Sequence, residues 1–144
     1  MQVHHIMTTG MTTVDRDDDL RLVDDIMAAG HIRHVPVVED NRVVGVVSLR
    51  DVFSAQMLST KGIGDRTQRS FLHTLLVNDV MTQSVTTISP DASVSEAAML
   101  MIDEAIGCLP VVRDGALEGI VTKTDLLRCL HDAQGGVESP PVKS

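Results

Sequence analysis

Aromatic side chains are almost absent from this sequence of 144 residues, which contains two Phe and neither Trp nor Tyr. The hydrophobic core must therefore be built from aliphatic residues and from the eight Met, whose flexible side chains fill irregular gaps. No apolar run is long enough to cross a bilayer, and the first residues lack the apolar stretch of a signal peptide. We expect a cytoplasmic protein that does not associate with membranes.

Positive charge is also in short supply, since 12 Lys and Arg face 20 Asp and Glu and leave a formal net charge of −8. Such a surface repels phosphate backbones and anionic headgroups, which argues against nucleic acid or a membrane as partner. Cysteine is scarce as well, and Cys108 and Cys129 have neither CxxC nor zinc-ligand spacing. We expect both thiols to be reduced, as is usual in the cytoplasm, and no metal site.

The sequence signatures of common catalytic sites are missing too. There is no Gly-x-Ser-x-Gly, no P-loop and no HExxH, and the sequence reveals no cysteine placed beside a base. These absences favour a protein that binds a partner or a ligand over an enzyme.

What the sequence does contain is an internal duplication with an offset of 74 residues. Residues 7–53 align with residues 81–127 without a gap, and 14 of the 47 aligned pairs are identical. Residues 45–51 (GVVSLRD) thus match residues 119–125 (GIVTKTD). Two copies are too few for an extended solenoid, so a closed pair about a pseudo-twofold axis is the natural arrangement.

Each copy is predicted to fold as strand, helix, strand, strand and helix, from its hydrophobic periodicity and its turn residues. In the first copy, an extended piece at 12–14 precedes a helix opened by an acidic triplet at 17–19 and stopped by Gly30, strands at 35–38 and 43–47, and a helix at about 50–58. In the second, an extended piece at 86–88 precedes a helix after a capping box at 93–96, strands at 109–112 and 117–121, and a helix to about 132.

The predicted domain organisation is a first repeat at residues 1–58, a linker at 59–74, a second repeat at 75–133 and a disordered tail at 134–144. The linker contains a polar, glycine-bearing stretch (KGIGDRTQRS), and the tail is polar and contains proline. A repeat of about fifty residues buries little surface alone, so we expect the two repeats to pack face to face.

A hydroxyl and a carboxylate recur where the last strand of each copy passes into its last helix: Ser48 and Asp51, then Thr122 and Asp125. Two interpretations of these side chains are open. They can cap the free N–H groups of the helix, or they can face a ligand beside the positive helix terminus.

The duplicated features resemble the CBS domain family, named for cystathionine beta-synthase, in the tandem arrangement called a Bateman module. The resemblance covers roughly residues 3–132 and rests on features that occur twice, in phase: Ile6-Met7-Thr8 and Val80-Met81-Thr82, the two Thr-Thr-hydrophobic pieces, the (Val/Leu)-Pro-Val-Val strands and the Gly-x-x-(Ser/Thr)-x-x-Asp endings. It implies an α/β (α+β) fold of two βαββα repeats packed about a pseudo-twofold axis, with their sheets facing each other.

Modules of this family commonly bind adenosine compounds in two clefts between the repeats, and the resemblance implies which residues form each cleft. The cleft that we prefer joins the Thr-x-x-Asp ending of the second repeat to the early threonine and pre-proline segment of the first: Thr122, Asp125, Thr13, Ile32, Arg33 and His34. The second cleft is the reverse combination: Ser48, Arg50, Asp51, Thr87, Ile106, Gly107 and Cys108.

Our preference for the first cleft rests on charge. The carboxylate of Asp125 can accept both hydrogens of a ribose cis-diol, and Arg33 and His34 offer positive charge to a phosphate. We therefore expect a regulatory ligand that is an adenine nucleotide (AMP, ADP or ATP), with no required cofactor.

A regulatory module of this kind is expected to form a homodimer and to signal to a separate effector protein. Four residues lie on helices that can supply the dimer interface: Val23, Met27, Met99 and Leu126. Two alternatives are open, namely a ligand-free dimerisation scaffold and a module that binds S-adenosylmethionine, which shares the ribose and the base but carries a positive sulfonium.

Overall fold

The computed structural model of the protein describes residues 1–57 and 71–135. Most of the predicted linker and nearly all of the predicted tail lie outside these residues. Leu72, which composition places in the linker, is fully buried. Within the described ranges, no helix combines the length and the apolar composition that a bilayer crossing requires.

The fold is mixed α/β. Its elements in chain order are α1 (Leu20–Gly30), β1 (His34–Glu39), β2 (Arg42–Ser48), α2 (Leu49–Met57), α3 (Val77–Val80), α4 (Val94–Glu104), β3 (Cys108–Arg113), β4 (Ala116–Thr122) and α5 (Lys123–Ala133). The predicted order of elements is confirmed in both repeats. The sequence did not predict α3 or a 3-10 turn at Val3–His5.

The first strand of each repeat is reduced to a single bridge residue. Val14 pairs in parallel with Val37, and Ile88 pairs in parallel with Val111. The predicted extended pieces therefore exist, but each adds only one residue to the edge of a hairpin.

The two longer strands of each repeat form an antiparallel hairpin. In the first repeat the register runs from His34 opposite Ser48 to Glu39 opposite Arg42, with an irregularity after Val37. The hairpin turns at 40–41 and 114–115 have positive φ at both central residues, as type I′ turns require. Arg42, the first residue of β2, also pairs with Ala116, the first residue of β4.

The chain divides into two compact units that do not coincide with the sequence repeats. Unit 1 contains Met1–Thr9, Thr87–Arg113 and the residues from Glu118 onward, and unit 2 contains Gly10–Thr86 and Asp114–Leu117. We call the segment that leads into each repeat its lead segment. The lead segment of the first repeat, Met1–Thr9, belongs to unit 1, which is built mainly from the second repeat. The lead segment of the second repeat, residues 75–86, belongs to unit 2, which is built mainly from the first.

Paired backbone hydrogen bonds hold these lead segments in place. In unit 1, the N–H groups of Thr8 and Ile120 each donate to the other residue's carbonyl, at 2.8 and 3.0 Å. In unit 2, Thr82 and Val46 exchange the same two bonds, at 3.0 and 3.1 Å. Each lead segment therefore adds a short antiparallel pairing to the last strand of the other repeat.

A glycine lies at each of these crossings because there is no room for a side chain. A Cβ on Gly119 would lie 2.7 Å from Sδ of Met7 and 2.9 Å from the carbonyl oxygen of Thr8. A Cβ on Gly45 would lie 2.5 Å from Sδ of Met81 and 3.0 Å from a backbone carbonyl. The close packing explains why both glycines and both methionines are among the identical pairs of the duplication.

Each unit has its own aliphatic core. The buried residues of unit 2 are Val14, Leu20, Val23, Met27, Val35, Val37, Val47, Val52, Ala55, Leu72, Val77 and Met81. Those of unit 1 are Val3, Ile88, Ala97, Met101, Leu109, Val111 and Val121. Because Val23 and Met27 are buried, their candidacy for a dimer interface was wrong, whereas Met99 is 56% exposed.

Candidate functional site

The last helix of each repeat begins with reciprocal hydrogen bonds between a hydroxyl residue and an aspartate. At α5, the N–H of Asp125 donates to Oγ1 of Thr122 (3.4 Å), and the N–H of Thr122 donates to Oδ2 of Asp125 (2.9 Å). At α2, Asp51 and Ser48 make the same two bonds, at 3.1 and 2.8 Å. These are capping boxes. The capping interpretation is confirmed, with one correction: Thr122 is the cap residue, and Asp125 bonds back to it from the first turn.

Capping occupies only one oxygen of each carboxylate. Oδ2 of Asp125 also accepts a hydrogen bond from the Thr122 hydroxyl at 3.1 Å, whereas Oδ1 lies 3.7 Å from Nη1 of Arg128. Oδ1 of Asp51 accepts no hydrogen bond from the residues that the structure describes. Each aspartate thus keeps one oxygen with which to accept a ligand hydroxyl, and the ribose interpretation stays a prediction.

The pre-proline segment of each repeat lies beside the capping box of the same repeat. The N–H of Leu49 donates to the carbonyl of Arg33 (2.8 Å), and the N–H of Lys123 donates to the carbonyl of Gly107 (3.1 Å). Unit 2 therefore brings together six predicted site residues: Ile32, Arg33, His34, Ser48, Arg50 and Asp51. Unit 1 brings together five: Ile106, Gly107, Cys108, Thr122 and Asp125.

The two early threonines are exposed and precede the bridge residues. Thr13 comes just before Val14 in unit 2, and Thr87 comes just before Ile88 in unit 1. Each predicted cleft draws its residues from both units, and the composition of the clefts stays a prediction.

A pocket of about 330 Å³ opens in unit 2 at the C-terminal half of α1. Its lining residues are Asp24, Met27, Ala28, His31, Ile32, Arg33 and Leu49. Ile32 and Arg33 belong to the predicted site, whereas the others were missed. The sequence held a signal, because residues 24, 27, 28 and 31 have the i, i+3, i+4, i+7 spacing of one helix face.

Charged side chains of both signs line this pocket. Asp24 is half-buried and Arg33 is exposed, and neither forms an ion pair with another residue in the described ranges. His31 takes the left-handed conformation (φ 52°) that ends α1. Gly30 was predicted to end the helix, but it is the last helical residue, so the prediction was wrong by one position.

The corresponding positions of the second repeat carry different chemistry. Asp24, His31 and Arg33 become Ala98, Ala105 and Gly107, and Leu49 becomes Lys123. The second repeat therefore has a single cation in this region and no acid to match Asp24.

Cys108 occupies the position that His34 has in the first repeat. Burial raises the pKa of the Cys108 thiol to about 12, and the nearby carboxylate of Asp125 adds to the shift. The thiol therefore stays protonated and neutral at physiological pH, so it acts as a small apolar group.

Comparison with known proteins supports the assignment of the repeats. The sequence profile of the CBS domain family matches residues 3–58 and 77–132. A CBS domain-containing protein of Dictyostelium discoideum is 33% identical over 132 residues, which cover 89% of this chain and 90% of that protein.

Solved structures share the fold over nearly the whole chain. A Vibrio cholerae protein provisionally assigned to acetoin utilization (AcuB) has 33% identity and a TM-score of 0.77, with 96% of this chain and 98% of that chain covered. CBSX2, solved in complex with AMP, has 25% identity and a TM-score of 0.76, with 92% and 98% covered.

Other relatives are much longer than this chain. The chain spans 12% of a homoserine O-acetyltransferase of Methanosarcina acetivorans and 24% of the enzyme of that name from Methanococcus vannielii. The matched region is thus one part of those proteins. Because the family profile matches both repeats, and these make up most of the chain, the protein belongs to the CBS domain family and contains the family's unit twice.

Proposed function

We propose that this protein is a cytoplasmic regulatory module that binds an adenine nucleotide (AMP, ADP or ATP) and signals to a separate effector protein. The observation that carries the proposal is the pocket of unit 2, where Ile32 and Arg33 lie beside the capping box of Ser48 and Asp51. The complex of the structural neighbour CBSX2 with AMP supports it. The proposed role is binding and involves no catalytic step.

The chemistry of the pocket fits the parts of a nucleotide. A volume of about 330 Å³ is at the lower end of the range of small-molecule sites. Ala28 and Ile32 offer apolar surface to a base, and Arg33 offers a guanidinium to a phosphate. A ribose diol can donate to the free oxygen of an aspartate in charge-assisted bonds, each contributing about 1.5–3 kcal/mol.

A thermal-shift panel of AMP, ADP, ATP, S-adenosylmethionine and NAD tests the proposal. A ligand that binds only the folded state raises the melting temperature, so we expect a shift with an adenine nucleotide. S-adenosylmethionine is included because its ammonium group can donate hydrogen bonds to the Asp24 carboxylate. A flat response across the panel would overturn the proposal and favour a scaffold.

The variant Arg33→Ala tests which part of the ligand this pocket holds. AMP affinity should fall while adenosine affinity stays nearly unchanged, because only AMP carries a phosphate. The loss of AMP binding free energy should be small if the contact is exposed and about 1–3 kcal/mol if it is partly desolvated. Arg42→Ala is the matched control, since this exposed arginine lies at the far end of β2 from Ser48. Equal losses for both ligands would place Arg33 away from the phosphate.

A homodimer is the second part of the proposal, and exposed apolar side chains on three helices favour it. They are Phe53 and Met57 on α2, Met99 and Ile102 on α4, and Leu127 and Leu130 on α5. Exposed apolar groups of this kind usually become interfaces.

Sedimentation should give a dimer at micromolar concentration. Ile102→Asp, which charges a side chain that is 72% exposed, should weaken the dimer if α4 forms the contact. A monomeric wild type would contradict the dimer.

A further inference from the structure

We propose that Asp24 limits the negative charge of the ligand that the unit 2 pocket accepts, so that AMP binds more tightly than ATP. This inference rests on the proposed function, because it concerns the same pocket. It identifies the monophosphate as the preferred member of the nucleotide series and assigns that preference to one side chain.

The charges that line the pocket are the basis for this inference. Arg33 supplies one positive charge and Asp24 one negative charge, and no ion pair joins them. A single phosphate carries about −1.5 to −2 charges near neutral pH, which Arg33 can offset in part. Each further phosphate adds negative charge, and of the remaining lining residues only His31 can become a cation. The half-buried Asp24 carboxylate repels that additional charge.

The helix itself does not need an acid at this position. The corresponding residue of α4 is Ala98, and α1 and α4 are both 11 residues long. Asp24 is the fifth residue of α1, so it is too far along the helix to cap its N-terminus. The second repeat lacks both members of the charge pair, since Arg33 corresponds to Gly107. The pair is therefore specific to the pocket of the first repeat.

Calorimetric titration of AMP and ATP into the wild type and Asp24→Asn tests the inference. Magnesium-free buffer of low ionic strength keeps the full phosphate charge. Wild type should prefer AMP, and Asp24→Asn should raise the ATP affinity relative to AMP by about 5- to 30-fold, the size expected when one carboxylate acts through water on one or two extra charges about 4 Å away.

Asp40→Asn is the matched control. It removes the same charge from unit 2, but in the hairpin turn at the opposite end of β1, where its φ of 51° is a conformation that asparagine adopts readily. The ratio of AMP to ATP affinity should not change in this variant. If Asp24→Asn does not fold, as judged from its melting curve without ligand, Asp24→Ala introduces the residue of the second repeat and should change the ratio in the same direction.

Salt provides an independent measurement on the wild type. Raising the ionic strength to about 0.3 M screens exposed charges, so the preference for AMP should shrink. A wild type that prefers ATP, a ratio that Asp24→Asn leaves unchanged, or a preference that does not depend on salt would each overturn the role of Asp24 while leaving nucleotide binding intact. No binding of any adenosine compound would overturn the proposed function as well.

Discussion

The two repeats share the same backbone fold but differ in the side chains around their candidate binding residues. Both have a capping box at the last helix and a glycine under the lead segment, and the residues at these positions are identical or nearly so. The pre-proline segments differ, with Arg33-His34 in one repeat and Gly107-Cys108 in the other. The positions set by backbone crowding and capping are thus alike in the two repeats, whereas the pocket side chains differ.

Each repeat also has an ion pair at the end of a hairpin strand, and the strand residue of the pair is acidic in the first repeat and basic in the second. In the first repeat Nε of Arg16 lies 2.7 Å from Oε2 of Glu39, and in the second Nη1 of Arg113 lies 3.3 Å from Oδ2 of Asp91. Glu39 and Arg113 are corresponding residues. In both repeats the pair ties the loop before the first helix to the end of a hairpin strand. The strand residue carries the opposite charge in the second repeat, and its partner in the loop lies one position further along, since Asp91 corresponds to Asp17 and not to Arg16.

The largest predicted contrast is between the two cysteines. Reaction with a thiol reagent at pH 8 should modify Cys129, which is half-buried on α5, well before Cys108. A pKa of about 12 in place of 9.0 lowers the thiolate fraction of Cys108 by about 1,000-fold. Mass spectrometry of digested samples gives the two rates. Equal rates in the native protein would show that Cys108 is neither buried nor suppressed, whereas both should react together in denaturant.

The Cys108 pKa also predicts how stability depends on pH. Because the folded-state value lies above the unfolded value of 9.0, the unfolded state loses the proton first. The free energy of unfolding should therefore fall as pH rises above 9, and Cys108→Ala should reduce that slope.

A comparison of Asp125→Asn with Asp51→Asn separates the two clefts. If Asp125 holds a ribose diol, losing about 1.5–3 kcal/mol weakens nucleotide affinity by about 10- to 150-fold. Stability without ligand should change little, because the asparagine carbonyl oxygen can still accept the N–H of Thr122. Asp51→Asn should have a smaller effect if only the preferred cleft is filled, and an equal effect if both are. A larger effect at Asp51 would place the ribose at the capping box beside the unit 2 pocket.

The control for these two variants is a 2′,3′-dideoxy nucleotide. It lacks the hydroxyls and should bind wild type and Asp125→Asn about equally. Unchanged affinity for the normal nucleotide, or a large loss of stability in the ligand-free variant, would make Asp125 a structural residue of the capping box only.

Alanine substitution at Gly45 and Gly119 tests the close packing of the lead segments on the last strands, which both repeats share. Gly119→Ala and Gly45→Ala should each lower the free energy of unfolding by about 1–3 kcal/mol, because the new methyl group overpacks against a methionine and a backbone carbonyl. Chemical denaturation measures the loss. Gly30→Ala is the control, since its nearest contact would be 3.7 Å away, and it should stabilise α1 slightly. Two stable crossing variants would mean that the lead segments pack loosely.

The smallest effect is expected at the caps of the first helices, Asp19 in α1 and Ser93 in α4. The hydrogen bond from the N–H of Leu22 lowers the pKa of Asp19 below its ordinary value of 3.8. Its stabilising contribution is therefore present above that pH and lost as pH falls through the folded-state value. Asp19→Ser should lose less stability on acidification than wild type, with little change at neutral pH, in melting curves recorded at both pH values. Identical acid sensitivity would exclude this contribution of Asp19.

The order of elements was predictable because the chain contains nearly every signal twice, once in each repeat. The helices and hairpins were predicted to within a few residues from the hydrophobic periodicity, the proline-containing strands and the Asp114-Gly115 turn. Capping at the last helices was also predictable, since a hydroxyl residue three positions before an acid is a local signal. At 93–96, where a capping box was predicted, the structure shows the half in which Oγ of Ser93 accepts the N–H of Glu96.

Features that depend on packing were harder to predict. The pocket lining at Asp24 and His31 has helical spacing, but sequence alone does not say which faces of a helix border a cavity. The left-handed conformation fell on His31 instead of Gly30 because the helix continues through the glycine. Leu72 lies within the predicted linker, and its burial depends on packing against residues far from it in sequence, which local composition does not reveal.

The way in which the lead segments are shared between the units has a consequence for synthesis on the ribosome. Unit 2 consists mainly of the continuous stretch Gly10–Thr86, so most of it is available to fold while the rest of the chain is still being made. Unit 1 needs Met1–Thr9 together with residues that follow Thr87, so a segment made before unit 2 must wait, unpaired, for residues made after unit 2. Closing that long loop makes unit 1 the slower to form. A ribosome that stalls between the repeats would thus release a nearly complete unit 2 with Met1–Thr9 unpaired, and such an unpaired segment is a substrate for chaperones and proteases.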